Sequence, residues 1–177
     1  GRGARAGGPK AWLPYDGATL LERQLSFILS RFHPDQVVVT IQPEWMERCR
    51  ALNTTVHWLP VDPDAPAFAS LRAIMDIVTR RDWSFVHHVD QPVWEPELFD
   101  MLASAAGETA ADAVAPRYQG RRGHPVLLSP AAHDALLKVD PLAGRLDRWL
   151  EGRRVHEVEV PFACVRENWN EGAPRPG

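Results

Sequence analysis

Ten residues at the start of the chain, Gly1-Arg2-Gly3-Ala4-Arg5-Ala6-Gly7-Gly8-Pro9-Lys10, combine four glycines with two arginines and a lysine. Glycine lets backbone N–H groups approach an anion closely. Arginine and lysine add positive charge in fork and point geometry. Together these supply what a triphosphate needs, a cradle of N–H donors with mobile cations. Two familiar phosphate loops do not fit. A Walker loop needs Gly-Lys followed by Ser or Thr, whereas Lys10 lies between Pro9 and Ala11. A dinucleotide fingerprint needs an acidic residue at the end of the second strand, and that stretch reads Ile41-Gln42-Pro43. The plain alternative for the loop is a flexible terminus.

Asp90 is the second feature. It closes an apolar run and is followed by Gln91-Pro92. A carboxylate there sits at the carboxyl edge of a sheet, where open α/β folds place their ligands. It can hold Mg²⁺, which favours oxygen ligands and substrate phosphates. The competing reading is an Asp that starts a turn or caps the next helix. The third feature is Gly120-Arg121-Arg122-Gly123-His124-Pro125. Two cations in a glycine-bounded turn suit an anionic substrate, and equally a solvated hairpin. His87 and His88 precede Asp90 and are expected to pack on the two faces of its strand.

The elements that must position these residues alternate. Thr19-Leu20-Leu21-Glu22 reads as a capping box opening a helix with Leu21, Leu25, Ile28, Leu29 and Phe32 on one face. Strands are expected at 36–41, 55–59, 84–89, 112–116, 125–129 and 155–160. Helices are expected at 44–52, 67–81, 95–106, 130–139 and 142–150. This order predicts a three-layer α/β/α fold of Rossmann-like type, with a mostly parallel sheet and one late β-hairpin.

Composition narrows the function classes. The 177 residues suit one domain with a real core, and 45% hydrophobic with 24% charged residues is an ordinary globular balance. The net charge of −3 provides no basic field, so nucleic acid is not the expected partner. Two cysteines, Cys49 and Cys164, make neither a disulfide framework nor a zinc site, and a reducing cytoplasm is expected. No apolar run approaches the ~18 residues of a membrane span. The seven tryptophans have no functional reading at this level.

The three features recur together in one family. The chain resembles the MobA-like nucleotidyltransferases, and among them the molybdenum-cofactor cytidylyltransferases. The opening glycine stretch matches the family pattern Gly-x-Gly-x-Arg-Met-Gly-x-x-Lys, with Ala6 in place of Met. Asp16 to Glu22, Ser70-Leu71-Arg72, Val89-Asp90-Gln91-Pro92 and Gly120 to Val126 match later segments in order. The resemblance implies a single domain over residues 1–177. Its implied activity is Mg²⁺-dependent transfer of a nucleotidyl group to a phosphorylated acceptor such as molybdopterin, with CTP the favoured donor. It assigns Lys10, Arg5 and Asp90 to catalysis. Gly1, Gly3, Gly7, Gly8, Ser70 and Arg72 are assigned to the nucleotide, and Gln91, Gly123, His124 and Asn168 to the acceptor. Asp90 and Asn170 are implied to share the metal and so to converge. A molybdoenzyme or chaperone is the implied protein partner.

Two departures stand out. The family's opening strand has no counterpart in these residues, which is expected to leave its two neighbours unpaired. The cytidylyl branch ends in Asp-Ile-Asp-Thr-Pro, whereas Asn168-Trp169-Asn170-Glu171-Gly172 stands here, closer to the guanylyl pattern. Transfer to a sugar phosphate or another small phosphate, or nucleotide binding without catalysis, are the alternatives.

Overall fold

The computed structural model describes residues 9–78 and 82–169. A short 3₁₀ turn, Lys10–Trp12, leads into a tight hairpin of β1 (Pro14–Tyr15) and β2 (Ala18–Thr19). Asp16 (φ 48°) and Gly17 (φ 76°) turn that hairpin in the left-handed region, which suits Asp and Gly. Helix α1 (Leu20–Leu29) follows, and its capping box is complete. The Thr19 N–H donates to Glu22 Oε2 at 2.7 Å and the Glu22 N–H to Thr19 Oγ1 at 3.3 Å. The bond from the Thr19 hydroxyl, then that from its backbone, holds the Glu22 carboxyl below its usual range.

The chain then alternates through β3 (Val38–Ile41), α2 (Met46–Leu52), β4 (His57–Pro60), α3 (Ala67–Ile77), β5 (Ser84–Val86) and α4 (Pro96–Gly107). It finishes with β6 (Ala113–Tyr118), β7 (Arg121–Arg122), β8 (Val126–Leu128), α5 (Pro130–Leu136), α6 (Leu146–Glu151) and β9 (Val155–Glu159). Every expected helix and strand is present, most of them shorter than expected at one or both ends.

The sheet differs from expectation. It is mixed, not mostly parallel. β3 and β4 pair in parallel. β5 pairs antiparallel with β8, and β8 antiparallel with β6, while β9 joins β6 in parallel. The reason is the return of the chain after β6. Gln119 (φ 48°) and Gly120 (φ 75°) reverse it within a few residues, with no helical crossover, so β8 enters the sheet head to tail. Among the described residues no strand bridges the β3–β4 pair to the five-stranded sheet.

Side-chain alternation along β6 and β8 explains the layers. Ala113, Ala115, Val126 and Leu128 face a cluster with Phe68, Leu71 and Met75 of α3 and Ala132 and Leu136 of α5. Val114 and Leu127 point the other way, onto Leu98, Phe99 and Leu102 of α4, with Phe27 and Ile28 of α1 beside them. Both faces of these central strands are thus dry, the condition under which strands read as continuous apolar runs. A third cluster joins Leu21 and Leu25 of α1 to Val37, Ile41, Cys49 and Val56.

Candidate active site

Strand β5 stops at Val86, so His87 and His88 lie beyond it and not on its two faces. The correction has a physical cause. The backbone leaves the ladder to form a tight loop in which the Gln91 N–H donates to the His88 carbonyl at 3.1 Å. The His88 N–H in turn meets Gln91 Oε1 at 3.4 Å. The Gln91 side chain is buried and builds this loop. Asp90 stands at its tip.

Lys10 reaches Asp90 across 80 residues of sequence, with Nζ 2.5 Å from Oδ2. Both side chains are mostly shielded, at 20% and 15% exposed, so the pair is less screened than a surface ion pair. The final segment docks on the same loop, where the Trp169 N–H donates to the Asp90 carbonyl at 2.8 Å. The Trp169 ring packs with Tyr15 and Trp94, at centroid distances of 5.1 and 5.9 Å. Asn168, just before it, is exposed. Lys10, Asp90, Gln91 and the Asn168–Trp169 segment therefore share one rim.

The hairpin after β6 supplies the other side. Gly123 is required by packing, since a Cβ there would lie 2.4 Å from the Val165 carbonyl oxygen. Its neighbour His124 donates its N–H to that same oxygen at 2.9 Å. The His124 ring meets the His88 ring edge-on, centroids 5.7 Å apart. Burial, with the nearby His88 and Arg166, depresses His124 to about 4, so its imidazole is neutral at pH 7. Burial also lowers His87 to about 4. His88 is lowered in the same direction, by close surroundings and by Lys10, against the pull of Asp90. Of the two hairpin cations, Arg122 is committed and Arg121 is exposed. Arg122 Nε bonds Glu157 Oε1 at 3.0 Å, and the Arg166 guanidinium bonds the Arg122 carbonyl.

Ser70 and Arg72 sit on the first two turns of α3, beyond the end of β4. Arg72 Nη1 pairs with Asp76 of its own helix at 2.7 Å. Gly1, Gly3, Arg5, Gly7, Gly8 and Asn170 lie outside the described residues, and with them the expected meeting of Asp90 and Asn170. Among the described residues no three His, Cys, Asp or Glu side chains stand together as a metal cage. One carboxylate is nonetheless a fitting donor for Mg²⁺, which keeps several waters and takes substrate phosphates as ligands.

Several residues at the rim escaped the sequence reading. Gln24, Trp94, Trp169 and Val165 all touch the site. Gln24 left a legible signal, a polar residue on the apolar face of α1 between Leu21 and Leu25. The tryptophans left only their number.

A profile of the MobA-like NTP transferase domain matches residues 1–158. The chain belongs to the MobA-like NTP transferase family. Members of this family transfer a nucleotidyl group from a nucleoside triphosphate to a phosphorylated acceptor, and that is the activity class of this chain. No curated protein matches it by sequence. Among solved structures it is similar to Rv0371c from Mycobacterium tuberculosis H37Rv, at 25% identity and a TM-score of 0.78, covering 97% of this chain and 90% of that one. A complex of Rv0371c with manganese aligns at 20% identity and a TM-score of 0.70, covering 92% and 88%. The molybdopterin-guanine dinucleotide biosynthesis protein A of Archaeoglobus fulgidus aligns at 19% identity and a TM-score of 0.64, covering 90% and 80%. These last two likenesses share the Rossmann-like fold. No helix among the described residues is long and apolar enough to cross a membrane.

Proposed function

We propose that residues 1–177 form one catalytic domain that moves a nucleoside monophosphate, from CTP in preference to GTP, onto a phosphorylated acceptor of the molybdopterin kind. The observation that carries this reading is the Lys10–Asp90 pair, made across 80 residues at the rim of the sheet. An oxygen of the acceptor phosphate attacks the α-phosphorus, the α–β bridging P–O bond breaks, and pyrophosphate leaves with its electron pair. The attacking phosphate is already ionised, so no side chain has to take a proton. Catalysis then reduces to positioning and charge.

Lys10 moves from Asp90 to the α-phosphate and stabilises the charge that builds there. The glycine stretch and Arg5 receive the β- and γ-phosphates. Asp90, with Asn170, would hold the divalent cation, Mg²⁺ or Mn²⁺, which when bound neutralises and orients the phosphates. The manganese complex of a structural neighbour makes both ions worth testing. Ser70 and Arg72 are assigned to base and ribose. The acceptor is placed against His124, Gly123, Gln91 and Asn168. A neutral His124 suits this role, since it can hydrogen-bond an acceptor without pairing tightly with its phosphate.

The choice of CTP rests on the Ser70-Leu71-Arg72 and Gly-His-Pro segments, which the resemblance assigns to the nucleotide and to the acceptor. The Asn168-Trp169-Asn170 segment concerns the cation, which every triphosphate shares. Discrimination would come from hydrogen bonds to the base edge, where an unpaired buried polar group costs ~1–3 kcal/mol. Competition binding with CTP, GTP, ATP and UTP tests this. CTP should bind at least about tenfold more tightly than GTP. Equal affinities would mean that only phosphates are read.

A further inference from the structure

Gln24 lies on the buried face of α1, only 5% exposed. Its amide is fully engaged on both sides. Nε2 donates to the Val89 carbonyl at 3.2 Å and to the Gln91 carbonyl at 2.7 Å. Oε1 accepts from Trp94 Nε1 at 3.0 Å and stands 3.0 Å from His87 Nε2. Only one amide orientation works. Turning it over would set its oxygen against two carbonyls and its NH₂ against the indole N–H. The same argument fixes His87, whose Nε2 carries the proton toward Gln24 while Nδ1 is left as a buried lone pair without a partner among the described residues.

The two carbonyls that Gln24 holds flank Asp90. One amide therefore grips the loop immediately before and immediately after the carboxylate. The Trp94 bond extends the grip, because the Trp94 ring packs at a tilt against Tyr15 at 5.3 Å and meets Trp169 edge-on at 5.9 Å. Trp169 closes the circuit by donating its N–H to the Asp90 carbonyl at 2.8 Å. Arg23, next to Gln24, sets its guanidinium 5.2 Å from the Trp94 ring centroid. Helix α1 is thereby tied to the Asp90 loop and to the final segment through one side chain. A buried amide costs stability unless all its groups are paired, and here every partner belongs to the site's own loop and its neighbours.

We propose that Gln24 is a positioning residue that sets where the Asp90 carboxylate stands against Lys10 and the bound phosphates. This rests on the nucleotidyl-transfer reading above. Gln24 touches neither substrate nor ion. It acts through the Val89 and Gln91 carbonyls, and through Trp94 on the segment that ends at Trp169.

Two variants separate positioning from packing. Gln24→Met keeps the length and volume and removes every hydrogen bond. Gln24→Glu keeps an acceptor for His87 and Trp94 but gives up the donors to the two carbonyls. Folding is checked by circular dichroism. Turnover is measured with CTP and acceptor, and Mn²⁺ affinity is measured by electron paramagnetic resonance without nucleotide, with Asp90→Ala as the reference for a lost site. In folded Gln24→Met, kcat should fall by about 30-fold or more while KM for CTP stays within about threefold, because alignment of the carboxylate and not the contacts to CTP is lost. Mn²⁺ affinity should fall about tenfold. Gln24→Glu should show the same losses, and it decides the matter if Gln24→Met does not fold. If the wild-type chain transfers no nucleotide yet binds Mn²⁺, and Gln24→Met weakens that binding, the transfer reading fails and the positioning role stands. A folded variant with wild-type kcat and wild-type Mn²⁺ affinity overturns the positioning role.

Discussion

Replacing Lys10 by Met should push two properties of the site in opposite directions. Lys10 Nζ stands 2.5 Å from Asp90 Oδ2, on the carboxylate that a divalent cation would use. Without nucleotide, ion binding must therefore displace an ammonium. A hydrogen bond between charged groups contributes about 1.5–3 kcal/mol. Each ~1.4 kcal/mol is a factor of ten in affinity. Lys10→Met should then bind Mn²⁺ about 10–100-fold more tightly in the absence of nucleotide. The same variant should lose turnover by about 100-fold or more, because the charge meant for the α-phosphate is gone. Isothermal titration calorimetry with MnCl₂ and MgCl₂ gives the first number, and a pyrophosphate-release assay gives the second. Asp90→Asn serves as the control and should lose the ion in both backgrounds. Unchanged or weaker Mn²⁺ binding in folded Lys10→Met would refute the idea that Lys10 and the ion compete for one carboxylate. Turnover within about threefold of wild type would refute its catalytic role.

Two further outcomes concern stability. In Gly123→Ala the new Cβ would lie 2.4 Å from the Val165 oxygen, and moving Val165 would also strain the 2.9 Å bond from His124. Overpacking and a weakened hydrogen bond together should cost about 2–4 kcal/mol, lowering Tm by roughly 5–15 °C for a chain of this size, and a melt within about 2 °C of wild type would contradict it. His87 and His124 are both held near 4, below the ordinary histidine value, so the fold keeps them neutral while the unfolded chain protonates. Their contribution is whole above pH ~6.5 and is lost as pH falls from there toward 4, by at most about 3 kcal/mol each. Urea titrations at pH 7.5, 6 and 5 should show that decline, and a flat profile would contradict it.

The resolution with which sequence shows this site depends on how each residue works. The capping box at Thr19 and Glu22 is local, made within one turn, and its residues declare it. The edge position of Asp90 is readable from the apolar run that it follows, whereas its assignment to the cation comes only from the resemblance carried by Asp-Gln-Pro. The mixed sheet was less legible. The direction of β8 is decided by the backbone at Gln119 and Gly120, and a strand's apolar run looks the same in either direction. The placement of His87 and His88 failed for a related reason, since nothing in Phe85-Val86-His87-His88-Val89 marks where the ladder stops. Gln24 and Trp169 reach the Asp90 loop through partners more than sixty residues away in sequence. Tertiary packing brings those partners together, and no local spacing encodes it. Gly123 was singled out for the acceptor, and its tight fit against Val165 could be seen only once the final segment was in place.

The central claim is nucleotidyl transfer from a triphosphate at the Lys10–Asp90 rim. It is tested most directly with triphosphates labelled at the α-phosphate, supplied one at a time with Mg²⁺ or Mn²⁺ and molybdopterin. Wild-type protein should move label from CTP onto the acceptor and release one pyrophosphate per label transferred, with GTP slower by about tenfold or more. Asp90→Ala, folded by circular dichroism, should transfer none. Transfer that persists in Asp90→Ala, or release of the label as free nucleotide with no acceptor product from any triphosphate, would contradict the account.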